Sequence, residues 1–524
     1  MFIFVTTFNA MMKTLLPTLL SVLILLSSCQ EHSTYQQITQ QQVNNILASA
    51  SMNMPAITLP AIPDRTFNVL DYGANNDGSE LSTEAIQSAI DRAGDAGGGT
   101  VIIPAGVYLT GPIVLRSNIR LYAEQNALVI FSSDFSLYPI VDAIFEGVDT
   151  KRCQSPISAS NAENIAICGQ GTFDASGDAW RPLRRAKATA KQWKKQVECG
   201  GVVSEDGKTW YPDENALYAQ TLCVDQNVPV NVPNWDSIQS FLRPVLLNFV
   251  NCKNILLEGV CFENSPAWNL HPLMCENLVL NNLTVRNPWY SQNGDGVDVE
   301  SCTNVLINHC VFDVGDDAIC MKSGKNEDGR RRAMPTENVL IKACTVYHGH
   351  GGFVVGSEMS GDVRKIEVSD CLFIGTDVGL RFKSTRGRGG IVEDIYIKNI
   401  NMAAIENDAL TFDLFYGGKG VGEESDKEIA ERMAAQVPAV TEETPVFRNI
   451  TIQDVICKGA DRAIYFNGLP EMKIQNVSLS NIRMTAQQGA IFRYTNGLTL
   501  NNVLIHATEG QDMEFVEVDN VVQD

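Results

Sequence analysis

The chain has 524 residues, 44% of them hydrophobic, and a formal net charge of −21. That is enough apolar matter for a large core, and the acidic balance excludes non-specific nucleic-acid binding. It also sets a tension, because an anionic ligand would need basic groups gathered in one place.

The first elements are an address rather than a fold. Met11-Met12-Lys13 makes a basic start, residues 15–26 form an apolar run too short to span a bilayer comfortably, and Leu26-Ser27-Ser28-Cys29 ends it. The LSSC ending resembles a bacterial lipobox. It implies a signal peptide over residues 1–29, lipidation at Cys29, and an exported, membrane-anchored lipoprotein that is periplasmic or cell-surface. Residues 30–63, rich in Gln, Ser and Asn, read as a flexible tether, and residues 64–524 as one domain.

Residues 82–93 have helical spacing after the turn-rich Gly73-Ala74-Asn75-Asn76-Asp77-Gly78, and suit a cap on an open solenoid end. Residues 177–240 break the pattern around them and carry Trp180, Trp193, Trp210, Cys199 and Cys223, which reads as a long excursion forming a cleft wall. From there a phrase recurs, an Asn or charged residue before Ile, Val or Leu and then a β-rich run: Asn254-Ile255, Asn277-Leu278, Asn304-Val305, Asn338-Val339, Lys365-Ile366, Asp394-Ile395, Asn449-Ile450 and Lys473-Ile474. Most spacings are roughly 23 to 34 residues, the range of a stacked coil. The double gap after Ile395 holds a charged, helix-prone insertion at 417–444. The fold class predicted is all-β, a single-stranded right-handed parallel β-helix with an N-terminal capping helix and loop insertions.

The cysteines fit stacked coils. Cys310, Cys344 and Cys371 fall five residues after their anchors, and Cys252, Cys275 and Cys302 three before theirs. Such columns suit buried thiols behaving as small hydrophobes; Cys199 with Cys223 is the better disulfide candidate in an exported protein.

Four consecutive coils can be overlaid without gaps. Alternation makes Val297/Ile319/Phe353/Leu380 and Val299/Met321/Val355/Phe382 inward columns, and Gly296, Ala318, Gly352 and Gly379 an outward column of tiny residues flooring a trough. Asp295 stacks on Asp317 about 4.8 Å away, Asp316 stacks toward His350, and Arg381 and Lys383 project from alternate positions. Strict alternation would turn Asp317 inward, so a bend at Asp316-Asp317 is expected. A lone Asp pair would read as a corner satisfying turn amides. Three acids, a histidine between glycines and an Arg-x-Lys converging on one trough read as a site. Lys322, Arg381, Lys383, Arg386 and Arg388, with Arg330-Arg331-Arg332 nearby, would supply the local positive charge.

These residues resemble glycoside hydrolase family 28, the polygalacturonases, whose motifs Asn-x-Asp, Gly-Asp-Asp, Gly-His-Gly and Arg-x-Lys appear in order as Asn293-Gly294-Asp295, Gly315-Asp316-Asp317, Gly349-His350-Gly351 and Arg381-Phe382-Lys383. Gly294 departs from the Thr of many relatives. The resemblance implies a pectin-lyase-like solenoid and inverting hydrolysis of α-1,4 galacturonosyl bonds in polygalacturonate or pectin. It implies that Asp316 is the general acid, Asp295 and Asp317 activate the water, and His350 assists the acid. Arg381 and Lys383 would bind the substrate carboxylate, with Asn293, His271, Tyr465 and Lys322 as further substrate-binding positions. Crowded carboxylates would hold Asp316 protonated at mildly acidic pH. No metal or cofactor, no nucleic-acid partner and a monomer are expected. The rivals are a calcium-dependent lyase, a hydrolase of a related pectic glycan such as rhamnogalacturonan, and a non-catalytic carbohydrate-binding or adhesion β-helix.

Overall fold

The computed structural model describes residues 36–225, 227–417 and 437–524, and Ile38–Asp524 fold as one compact unit. The lipobox with Cys29, and most of the predicted insertion at 417–444, lie outside the described residues. Thirty of the described strands join one sheet in which the strand pairings are parallel. Each coil contributes three strands that stack on their counterparts one coil on, giving a right-handed parallel β-helix; parallel crossovers take that hand because of strand twist. One face stacks Leu270–Leu273, Val297–Glu300, Asp317–Lys322, Gly351–Val355, Leu380–Lys383, Asp408–Asp413 and Arg462–Asn467.

The recurring asparagine has a physical reason. Asn254, Asn277, Asn304 and Asn338 all sit at φ 53–59°, a left-handed corner that Asn tolerates better than most residues. Each side-chain amide donates to the asparagine of the coil before it: Asn254 to Asn164 at 3.1 Å, Asn277 to Asn254 at 3.0 Å, Asn304 to Asn277 at 3.3 Å and Asn338 to Asn304 at 3.3 Å. The corner residue thus both permits the turn and ties the coils together.

Inside, both predicted inward columns are fully buried. One continues as stacked rings, with Phe382 and Phe412 4.2 Å apart and nearly parallel, and Phe466 4.5 Å from Phe412. The helix Thr83–Asp95 inserts Ile86, Ala89, Ile90 and Ala93 into the same core beside Val101 and Leu121, so it covers the apolar interior of the first coils. The cysteine columns are buried free thiols. Cys199 and Cys223 are also free, and the Cys223 thiol donates to the Ala219 carbonyl instead. The expected disulfide is absent.

Residues 177–240 do form an excursion. It carries the helices Ala190–Glu198 and Glu214–Thr221 and a three-stranded antiparallel sheet, and Trp180, Ala216, Ala219, Ile238 and Phe241 share a core of their own with Tyr138 and Cys153. The expectation of a flexible tether over 30–63 needs correcting. Thr39 caps the helix Gln40–Ala48 with a capping box, the Ile38 amide donates to Glu258, and the amides of Ser51 and Met52 donate to Glu367. Glu258 and Glu367 are buried, and burying a carboxylate is favourable only with such donors. The segment is therefore a strap across several coils.

Candidate active site

The two acids that open the strand Asp317–Lys322 are presented by a bend at Gly315 and Asp316. A Cβ on Gly315 would lie 2.4 Å from the Ser291 hydroxyl and 2.5 Å from the Pro288 carbonyl, so the bend requires glycine. Gly294 faces the same serine: a Cβ there would fall 1.8 Å from Ser291 Oγ, which explains the missing threonine. The bend expected at Asp316-Asp317 is thus present, and it inverts the strict alternation that would have turned Asp317 inward. Asp317 points to the site, whereas Ala318 belongs to the apolar core. Cβ atoms at Gly296 and Gly352 would strike the rings of Phe312 and Phe373, each at 2.7 Å. The tiny column therefore makes room for core phenylalanines at the corner; it does not floor a trough.

The carboxylates of Asp295, Asp316 and Asp317 converge, each offering an oxygen within 4.8 Å of the others. Their surroundings differ. Asp316 Oδ1 lies 3.1 Å from His350 Nδ1 and accepts from the Asp317 amide at 3.0 Å. Asp317, 1% exposed, is held by Lys383 at 2.6 Å and by Arg381 at 3.3 Å. Asp295, 3% exposed, has one oxygen without a hydrogen-bond partner among the described residues.

Electrostatics separates them further. Burial pushes the Asp316 carboxyl up, but His350 beside it, with Lys383 and Lys187 behind, outweighs burial and holds it well below the usual carboxylate range. This corrects the expectation that crowding keeps Asp316 protonated: its cations outweigh its like charges. Burial, then Asp298 and Asp316, push Asp295 well up. Burial pulls His350 down, but Asp316 raises it more, and it stands above the ordinary imidazole value.

Several predicted ligands are buried structural groups. Lys322, 4% exposed, lies 2.8 Å from Glu358 and 3.5 Å from Asp298, so it is a counter-ion in the wall rather than a substrate contact. His271 is 1% exposed, 2.9 Å from Glu300 and edge-on to Trp268; alternation did place it outward, but these two and Asn248 enclose it. Arg381 and Lys383 are spent on Asp317. Arg386 pairs with Glu471, Arg388 binds Asn326 and Ser357, and Arg330, Arg331 and Arg332 bind neighbouring acids and carbonyls. The expected free basic patch is thus a set of partnered cations, some buried, such as Arg388, and some exposed, such as Arg331. Asn293 accepts from Arg243 at 2.9 Å and from Asn227 at 3.0 Å, at the rim beside Asp295. Tyr465 stands two coils beyond Arg381 in the same outward row, half-buried under the Arg462 guanidinium, which sits 3.9 Å over its ring.

Other site residues escaped the sequence reading. Tyr416 lies beneath Lys383 and Arg381, 5.0 and 5.7 Å from its ring. Lys187, from the excursion, reaches within 3.3 Å of His350 Nε2, and Asp377 comes within 3.6 Å of the same atom. Asp298 is wholly buried with neither oxygen hydrogen-bonded among the described residues, beside Lys322. Its spacing from Asp295, Asp-x-x-Asp, was the one signal available. The donor set also bears on calcium. Two of the three clustered acids already have a cationic side chain within 3.3 Å, which is poor company for a divalent ion.

Comparison with known proteins agrees with this geometry. The model for glycosyl hydrolases family 28 matches residues 238–429, and that for rhamnogalacturonase A/epimerase, pectate lyase-like, matches residues 66–143. The chain is 27% identical over 494 residues to an exo-poly-alpha-D-galacturonosidase of Dickeya chrysanthemi, covering 91% of this chain and 77% of that one. It is 26% identical over 425 residues to a probable polygalacturonase of Vitis vinifera, covering 79% and 73%. The crystal structure of a hyperthermoactive exopolygalacturonase from Thermotoga maritima superposes with a TM-score of 0.67 at 28% identity, over 93% of this chain and 96% of that one. All four motif-bearing coils fall within the segment that the family-28 glycosyl hydrolase model matches, and these similarities support a glycosidase acting on O-glycosyl bonds.

Proposed function

We propose that the protein hydrolyses α-1,4-linked galacturonosyl bonds of polygalacturonate or pectin with inversion. The observation that carries the reading is the unequal partnering of three converging carboxylates: Asp316 with His350, Asp317 with Arg381 and Lys383, and Asp295 in no ion pair among the described residues. The names of the relatives support the substrate class. The match to a rhamnogalacturonase-type model lies over residues 66–143, far along the chain from these acids.

In this reading the Asp316–His350 pair carries the proton for the leaving oxygen, and Asp316 delivers it as general acid. Oxygens up to 4.8 Å apart leave room for a water about 2.8 Å from each. Asp317 and Asp295 hold that water opposite the bond, and the proton it loses passes to the pair, where burial makes Asp295 the readier acceptor. The oxygen attacks the anomeric carbon as the leaving oxygen takes the proton from Asp316, so charge balances across the step. Arg381 and Lys383, fixed by Asp317 and Tyr416, border the place where a uronate carboxylate would lie. From the Leu26-Ser27-Ser28-Cys29 ending we also infer export and lipid anchoring through Cys29.

The test is incubation with polygalacturonate while reducing ends and absorbance of unsaturated products are followed together. New reducing ends without that absorbance, and with activity surviving a chelator, support hydrolysis. A rise in unsaturated product that a chelator abolishes would replace it with lyase chemistry, and binding without new ends would leave an adhesion module. Sizing the early products separates release of monomer from a ladder of internal cuts.

A further inference from the structure

The excursion 177–240 brings one charged side chain to the catalytic acid's partner. Lys187 ends the short turn Arg185–Lys187, and its Nζ lies 3.3 Å from His350 Nε2. The opposite ring nitrogen, Nδ1, is 3.1 Å from Asp316, and Asp377 stands 3.6 Å from Nε2. The His350 carbonyl accepts from Arg381 Nη1 at 3.4 Å, with Lys383 and Asp317 beyond Asp316. His350 is thus placed between two acids and one lysine, with the Arg381–Lys383–Asp317 group behind Asp316.

An ammonium has only donors. Lys187 can therefore hydrogen-bond to Nε2 only when that nitrogen carries a lone pair, in the neutral ring whose remaining proton sits on Nδ1. Against an imidazolium the same contact is repulsive. The Asp316–His350 pair has three forms: imidazolium with carboxylate, neutral imidazole with carboxylic acid, and neutral imidazole with carboxylate after a proton has left. The first two hold the same number of protons: the first carries on Nε2 the proton that the second carries on Asp316, exchanged through solvent, while Nδ1–H donates to Asp316 Oδ1 in both. A positive charge nearer the ring than the carboxylate disfavours the first form relative to both others. Asp377 acts in the opposite direction.

We propose that Lys187 is a positioning residue for the general acid: its fixed charge against the outer nitrogen of His350 discharges the ring and places on Asp316 the proton that Nε2 would otherwise carry. The inference rests on the hydrolytic reading of the site. It answers a difficulty that the site itself poses, since an acid locked in an ion pair cannot donate, and Asp316 alongside favours the imidazolium more than burial disfavours it. The excursion supplies the opposing charge that the coils do not.

The decisive experiment compares wild type, Lys187→Met, Lys187→Arg and Asp377→Asn in two ways. The first is the pH dependence of kcat and KM on polygalacturonate. The second is the titration of the His350 imidazole by nitrogen-15 NMR, assigned by its loss in His350→Gln. For Lys187→Met we expect the alkaline limb of kcat/KM and the imidazole titration to move up by about one pH unit, with a several-fold lower kcat at the plateau and little change in KM. Lys187→Arg restores the wild-type values, and Asp377→Asn moves both limbs down. An imidazole titration unmoved in Lys187→Met overturns the proposal. So does a rise in KM with kcat and the limb unchanged, which would make Lys187 a substrate contact only. The titration needs no substrate: a wild type that releases no reducing ends would defeat the hydrolytic reading, while the imidazole still decides what Lys187 does to His350.

Discussion

Two corners of the same coil show opposite uses of stacking. At one, Asn254, Asn277, Asn304 and Asn338 lie one above another and hand a hydrogen bond from coil to coil. At the other, Asp295 lies over Asp317 with Asp316 beside them. The backbone repeat is the same. An amide has both a donor and an acceptor and can satisfy its copy in the next coil, whereas a carboxylate offers only acceptors. The asparagine ladder is therefore self-sufficient, and the acid corner depends on groups brought from elsewhere: His350, Arg381 and Lys383 from the next two coils, and Lys187 from the excursion. Stability comes from repetition, and chemistry from its interruption.

The largest effect should follow from removing the proposed proton donor. Asp316→Asn is expected to lower kcat by roughly 10²- to 10⁴-fold while leaving the thermal midpoint near that of wild type; turnover within a few-fold of wild type would remove Asp316 from the acid role. Next comes a broken charge pair. Lys383→Met leaves Asp317 buried with one cation fewer and should destabilise by about 3 kcal/mol, read from urea unfolding. Adding Asp317→Asn should recover much of that stability and none of the activity, a separation that the asparagine corner does not permit. Asn304→Ala should cost about 2 to 3 kcal/mol, from two lost ladder hydrogen bonds and an alanine forced into a left-handed corner. Asn304→Gly should cost less, and neither should alter the pH profile. The smallest effect is a pH window. His350 is raised by Asp316, so its contribution to stability is full below about pH 6.5 and is lost as pH rises through its folded value; Asp316 is depressed, so its contribution is lost as pH falls below about 4. The difference in thermal midpoint between wild type and His350→Asn should therefore peak between those limits and shrink on either side.

The coil architecture was legible because period-2 alternation and a repeating corner leave a trace at every turn. Val297, Ile319, Phe353 and Leu380 could be aligned by eye, and their register is the one found. The converging acids were legible for the same reason. What alternation could not show was the end of a strand, where a bend inverts parity and sends Ala318 into the core. Nor could it show who neutralises whom. Arg381 and Lys383 looked available for an anionic ligand until Asp317 was found between them, and His271 looked exposed until Glu300 and Trp268 enclosed it. Lys187 left no trace at all, because an excursion has no repeat against which to place it. The strap at residues 38–59 was misread for a related reason: its polar composition suited a tether, while the glutamates that receive it, Glu258 and Glu367, lie hundreds of residues away.

The proposed division of labour among the three acids has a direct consequence for stereochemistry. If Asp316 protonates the leaving oxygen while Asp295 and Asp317 hold water on the far side, the first product released from an α-linked galacturonan must be the β-anomer. Proton NMR of the earliest products, recorded before mutarotation, decides the matter. A β-anomer signal that precedes the α is the result this account predicts; an α-anomer appearing first would show that one carboxylate attacks the sugar itself, and would contradict it.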